Sequence, residues 1–182
     1  MFVLASQSPR RREILKAAGI EFVVRSANVI EECQAGESPE KYVRRLAEAK
    51  AVAVAAGADE IVLGADTEVV IDGQVLGKPK DHADAARMLK LLSGREHEVI
   101  TGICLTGRGR KIVDSARTRV RFVTLTEKEI DDYVNSGEPM DKAGAYAIQS
   151  LASKFIDDIE GEYFNIVGLP VALVYRHLKE FA

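Results

Sequence analysis

Apolar positions along the chain follow two rhythms. Runs rich in branched residues, as over residues 2–5 and 61–71, predict strands. Apolar side chains three and four positions apart predict helices, as at Tyr42, Val43, Leu46 and Ala47, and again at Met88, Leu89 and Leu92. Ser8-Pro9 and Ser38-Pro39 each place a helix N-cap before a proline suited to the first helical position. The first helix is expected over 9–18 with a stop at Gly19, and the second from Pro39 to Gly57. A short strand is expected over 21–25, followed by a polar stretch over 26–37 that contains Glu31-Glu32.

Asp72-Gly73 is a two-residue hairpin signal closing the 61–71 strand onto residues 74–76. Asp81 caps a helix that ends at Ser93-Gly94. Two long strands over 98–106 and 111–125, joined by Gly107-Arg108-Gly109-Arg110, predict an antiparallel ribbon. Thr126 and Glu129 form a capping box that opens a helix ending at Gly137. Residues 137–149 read as a polar, irregular loop, too polar for core, although Tyr146 and Ile148 alternate as in a strand. A strand over 155–159, a flexible loop over 161–168 and a helix from Pro170 complete the chain. There is no repeat, low-complexity tract or long linker. The expectation is an α/β fold with a mixed sheet flanked by helices.

A length of 182 residues fits one domain, or one domain with two lobes. Apolar residues at 47% and charged residues at 29% are ordinary for a soluble globular protein. The net charge of −3 argues against a general nucleic-acid binder. Cys33 and Cys104 form no CxxC pair, so a reducing compartment is the simplest reading. The first apolar stretch is too short for a signal peptide, and no stretch approaches a membrane span. The expected location is the cytoplasm, with neither membrane nor nucleic acid as partner.

Charge placement then singles out a few positions. Arg10, Arg11 and Arg12 fall in the first turn of a helix, where cations oppose the dipole. They read either as a phosphate cradle or as a solvated basic helix start. Asp66, in Gly64-Ala65-Asp66-Thr67, is a carboxylate in an apolar strand. It reads as a metal ligand or general base, or as a cap on a turn. Lys78, in Leu76-Gly77-Lys78-Pro79, is a point charge on a tight turn or a common loop lysine. Lys50 at a helix end complements the dipole, and Glu31-Glu32 read as solvated acids. His97 carries no assigned role, His82 and His177 read as surface residues, and Lys142, Tyr146 and Gln149 are candidates to line a pocket. Walker A, complete GxGxxG, HExxH and GxSxG patterns are absent, which removes the usual kinase, dehydrogenase and serine hydrolase readings.

Taken in order, several segments resemble the Maf family of nucleoside triphosphate pyrophosphatases. They are Ser6-Gln7-Ser8-Pro9-Arg10-Arg11, Gly64-Ala65-Asp66-Thr67, Leu76-Gly77-Lys78-Pro79, Ser93-Gly94 with His97, Gly137-Glu138-Pro139 with Asp141-Lys142-Ala143-Gly144, and Gly168-Leu169-Pro170. The resemblance covers nearly the whole chain, as a single Maf-like domain over 1–182. It implies an elongated mixed sheet of the inosine triphosphate pyrophosphatase type, two lobes with a cleft between them, and a homodimer. It also implies hydrolysis of a nucleoside triphosphate to monophosphate and pyrophosphate, helped by a divalent metal (Mg, Mn or Co). By resemblance the catalytic and metal-binding acid falls on Asp66 and the loop acid on Glu31, with Glu32 adjacent. Substrate-binding positions fall on Ser8, Arg10, Arg11, Lys50 and Lys78, and base-choice positions on Arg10, Thr67 and Gln149. The run from Asp141 to Gln149 is similar to the subfamily acting on dTTP and UTP, with Ser150 where glycine is usual and Glu68 where an apolar residue is common. The alternative reading is a non-catalytic nucleotide-binding regulator of septum formation.

Overall fold

The structure is a computed structural model that describes residues 1–26, 28–57 and 59–181. The opening strand β1 (Phe2–Leu4) leads into helix α1 (Pro9–Ala17), then β2 (Val23–Val24) and the long helix α2 (Pro39–Val54). Ser8 and Ser38 cap the two helices, each accepting from a backbone N–H one turn on, and each is followed by proline. Strand β3 (Ile61–Ile71) turns at Asp72-Gly73, both left-handed, into β4 (Gln74–Val75). Helix α3 (His82–Leu92) starts on the Asp81 side chain. Strands β5 (Glu96–Gly107) and β6 (Arg110–Phe122) are joined by Arg108-Gly109, also left-handed, and helix α4 (Glu127–Asn135) carries the complete Thr126–Glu129 capping box.

Strand order in the seven-stranded sheet is β2-β1-β3-β5-β6-β7, with β4 beside β3 and with β7 spanning Ile156–Glu160. β1 runs parallel to β2 and β3, whereas β3–β4 and β6–β7 are antiparallel, so the sheet is mixed as expected.

Three segments differ from the sequence reading. The strand expected over 111–125 stops at Phe122, because Leu125 leaves the ladder to donate its N–H to the Ser93 hydroxyl. Residues 137–149 are neither a strand nor simply a polar loop. They form 3-10 turns over Glu138–Asp141 and Ala143–Ala145, and Ala145, Tyr146 and Ala147 are buried. The 161–168 loop contains a short helix, α5 (Tyr163–Val167), before α6 (Val171–Leu178).

The chain divides into two compact units: residues Met1–Thr67, Ile100–Ala116 and Phe164–Ala182, and residues Glu68–Val99 and Arg117–Tyr163. The first has a core of Val3, Ala5, Ala47, Ala51, Val54, Val62 and Cys104. In the second, Phe122 packs edge-on against His97 and Tyr146, and Tyr133 edge-on against Phe155.

Two glycines set how closely α2 lies on the sheet of the first unit. A Cβ on Gly64 would sit 2.1 Å from the Ala47 carbonyl oxygen, and one on Gly102 would sit 2.4 Å from the Val43 carbonyl. The helix backbone therefore rests directly on β3 and β5, and the side chain of Lys50 is held inside rather than at a solvated helix end.

Candidate active site

Lys50 is the centre of one cluster. It is 9% exposed, and Asp66, two residues past Gly64 on β3, is 6% exposed. The Lys50 ammonium Nζ donates to Asp66 Oδ1 at 2.6 Å and lies 2.6 Å from Glu31 Oε1. A lysine that merely complements a helix dipole would point to water, so that sequence reading is corrected: the close helix–strand approach buries it between two acids. Asp66 Oδ2 is buried without a hydrogen-bond partner among the described residues. A carboxylate oxygen left this way is costly unless a proton or cation reaches it.

Of the adjacent acids in the 26–37 stretch, Glu31 presents its carboxylate to Lys50. Glu32 contributes its carbonyl to the Arg45 guanidinium. The loop is held to α2 by Arg45, whose two hydrogen bonds to Glu37, both 2.7 Å, hold that carboxyl down to about 2. Tyr42 adds a bond from its hydroxyl to the Glu31 carbonyl, 3.1 Å.

The three arginines of α1 do different things. Arg12 is exposed and Arg10 half-buried, whereas Arg11 is 9% exposed. Its guanidinium spends Nε on the Gly168 carbonyl at 2.8 Å, Nη1 on the Ser6 hydroxyl at 3.1 Å and Nη2 on the Thr67 hydroxyl at 3.1 Å. Three neutral acceptors thus hold this cation in the first turn. The reading of these arginines as a solvated basic helix start does not hold for Arg11. Gly168 adopts φ +123, a region that disfavours side chains, and its carbonyl also lies 3.2 Å from the Thr67 hydroxyl. Thr67 and Thr101 hydroxyls are 3.0 Å apart, and Thr101 donates to the Asn165 carbonyl at 3.2 Å.

These contacts join the Ser6–Ser8 loop, the Asp66-Thr67 pair and the Gly168 turn into one braced assembly. Ser6, quoted in the sequence only as part of a motif, and Thr101, which escaped the sequence reading, both belong to it. The available signal was Thr101-Gly102, a glycine inside a buried strand that repeats the logic of Gly64.

Lys78 and Gln149 belong to the second unit and are both exposed, Lys78 in a bend after β4 and Gln149 in a turn after the 3-10 segments. Lys142 is occupied by the Glu138 carbonyl and the Asp141 carboxylate. His97 is buried, with Nε2 hydrogen-bonded to the Tyr146 hydroxyl. His177, expected at the surface, is partly covered. Although burial opposes its charge, hydrogen bonds to Glu180 and Asp114 raise its pKa above the usual imidazole value.

An α/β fold thus sets a buried Lys50–Asp66 pair, with the exposed Glu31 carboxylate on the same ammonium, beside an arginine-bearing strand-to-helix loop. The chain belongs to the Maf family: the family model described as Maf-like protein matches residues 1–181. A Koribacter versatilis protein named dTTP/UTP pyrophosphatase is 53% identical over 178 residues, 97% of this chain and 92% of that one. A Bacillus cytotoxicus protein of the same name is 49% identical over 181 residues, 99% of this chain and 95% of that one. Among solved structures, the Staphylococcus aureus Ham1 protein superposes over 100% of this chain and 99% of its own, with a TM-score of 0.56 at 14% identity. At that identity the likeness concerns the fold alone.

Proposed function

We propose that the protein hydrolyses dTTP and UTP to the monophosphate and pyrophosphate, with Asp66 as the catalytic acid–base group. The observation that carries the reading is the Asp66 carboxylate, one oxygen fixed by Lys50 and the other buried with no hydrogen-bond partner among the described residues. Relatives about half identical over nearly their full length bear that activity in their names.

In this reading Asp66 Oδ2 takes a proton from the attacking water. The water oxygen bonds to phosphorus as the α–β anhydride bond breaks, and pyrophosphate leaves with the electron pair. Lys50 holds Asp66 in position from its other oxygen. Arg10 and Lys78 supply positive charge to the phosphates, Ser8 caps the helix start that faces them, and Arg11 braces the loop that carries both Ser8 and Arg10. Thr67 and Gln149 contribute to base choice.

Asp66 and Glu31 also fit a divalent cation. Both are hard oxygen donors drawn together by the Lys50 ammonium, and Asp66 Oδ2, the oxygen turned away from it, lacks a partner among the described residues. No group of three metal-ligating acidic, His or Cys side chains occurs among the described residues. A small carboxylate set completed by water and substrate oxygens is the usual arrangement for magnesium with phosphates. Such a cation supplies charge neutralisation at the phosphates and a more acidic bound water. We place the working form as a homodimer in a reducing, cytoplasmic setting, with both cysteines free.

The test is incubation with dTTP, UTP, CTP and dATP in the presence of Mg²⁺ or Mn²⁺. Monophosphate and pyrophosphate should appear in equal amounts, fastest from dTTP and UTP, and Gln149→Ala should narrow that preference. Release of orthophosphate with a diphosphate product overturns the assignment.

A further inference from the structure

We propose that His97 is a positioning residue for base selection: its hydrogen bond to the Tyr146 hydroxyl fixes the 142–149 segment, and with it the backbone that carries Gln149 and Lys78. The inference rests on the function proposed above, because it concerns how that site chooses its substrate.

His97 sits on β5, 2% exposed, with Nε2 2.7 Å from Tyr146 Oη. The rings of His97, Phe122 and Tyr146 meet edge-on in a triangle, with centroids 5.1, 5.4 and 4.8 Å apart. Burial pushes the imidazole down to about 4, so the pair is neutral near pH 7.

The pair is an odd choice for packing alone. His97 Nδ1 is buried with no hydrogen-bond partner among the described residues. Two apolar rings of the same shape would avoid that cost, and replacing both members of a buried polar pair is often neutral or stabilising. What the polar pair adds is direction, since the Tyr146 hydroxyl has one preferred position against the imidazole.

The backbone around Tyr146 makes that direction matter. Gly144 and Ala145 are both left-handed, with φ of 67° and 61°. For alanine this costs about 1 kcal/mol or more, so the surroundings must hold the conformation. Gly144 donates its N–H to the Gly77 carbonyl at 2.8 Å, and a Cβ on it would press Val69 at 2.8 Å. Gly77 directly precedes Lys78. On the other side, the Ser150 N–H closes a turn on the Ala147 carbonyl at 3.3 Å, and Gln149 projects from that turn. Tyr146 is the aromatic anchor between these two attachments. Releasing its hydroxyl frees the segment to shift while leaving its apolar packing in place.

The test compares kcat/KM for dTTP and CTP in wild type, Tyr146→Phe, His97→Gln and the double variant His97→Phe/Tyr146→Phe, alongside thermal melting. Tyr146→Phe is expected to fold and to lose about tenfold of the dTTP-over-CTP preference, mostly through KM for dTTP. His97→Gln, whose amide reaches the hydroxyl, is expected to keep the preference. The double variant should lose no more than Tyr146→Phe, as a coupled pair requires. If Tyr146→Phe does not fold, His97→Leu removes the same bond from the other side and carries the same expectation. An unchanged preference in a folded variant lacking the bond, or an equal loss for every nucleotide, overturns the proposal. A wild type that releases no pyrophosphate from any pyrimidine triphosphate overturns the proposed function and this inference with it. A selective wild type with an unmoved variant overturns this inference alone.

Discussion

Asp66→Asn isolates the charge at the proposed centre. The amide oxygen can still accept from Lys50, so the fold should persist with a melting point close to that of wild type. The lost carboxylate can neither take a proton nor serve a cation, and turnover should fall by at least ~10²-fold. A folded variant with near-normal turnover removes Asp66 from the mechanism. Arg11→Lys tests the brace instead. A lysine keeps the charge but cannot reach three divergent acceptors from one planar fork. The Ser6, Thr67 and Gly168 groups it now holds would lose partners, at about 1–3 kcal/mol in urea denaturation. A variant as stable as wild type shows that those contacts contribute nothing to the fold. Residue types marked the site in the sequence: a lone acid in an apolar strand, arginines at a helix start, a Gly-Lys-Pro turn. Partners did not, because whether Lys50 meets water or Asp66 depends on how closely α2 lies on β3.

That approach is a property of elements. The Gly64 Cα faces the Ala47 carbonyl and the Ala51 backbone N–H, so any side chain there must push α2 off the sheet. Gly64→Ala is therefore expected to cost at least about 2 kcal/mol and to draw Lys50 away from Asp66. Activity should fall further than the loss of folded protein explains. Unaltered specific activity in the folded fraction would show that the helix position does not govern the cluster. Local chemistry made most elements legible: serine-proline starts for α1 and α2, the Asp72-Gly73 hairpin, and the Thr126 capping box. The 143–149 segment was misread for the opposite reason. Its alanines and glycine have weak local preferences, and burial of Tyr146 against β5 and β6 decides its structure.

A two-unit organisation is compatible with the length and implied by the family resemblance, but where it divides the chain leaves no trace in a linear reading. Its boundaries fall between residues 67 and 68, 99 and 100, 116 and 117, and 163 and 164, inside β3, β5, β6 and α5, with no linker composition to betray them. Stability against acid is a property of the whole chain to which the buried pair in the second unit contributes. His97 is held neutral by burial, its pKa lowered from 6.5 to about 4. The unfolded chain therefore binds a proton at this residue that the folded chain refuses at intermediate pH. The contribution to stability is complete above pH 6.5 and is lost as pH falls towards 4, to a total of about 3 kcal/mol. Glu37 and Glu60 are held down to about 2, first by their side-chain hydrogen bonds to Arg45 and Arg25. Their contributions begin to disappear only below the usual carboxylate range, near 4.5. His177 acts in the other sense. Its raised pKa adds stability at pH below 6.5 that is lost as pH rises through the shifted value. Urea unfolding at pH 7.5 and 4.5 separates these groups. Between those two conditions His97→Gln should lose about 2–3 kcal/mol less stability than wild type, because it has no imidazole to charge, while the carboxylates and His177 are common to both proteins. Equal losses in the two would mean that the His97 site admits a proton as readily as the unfolded chain does.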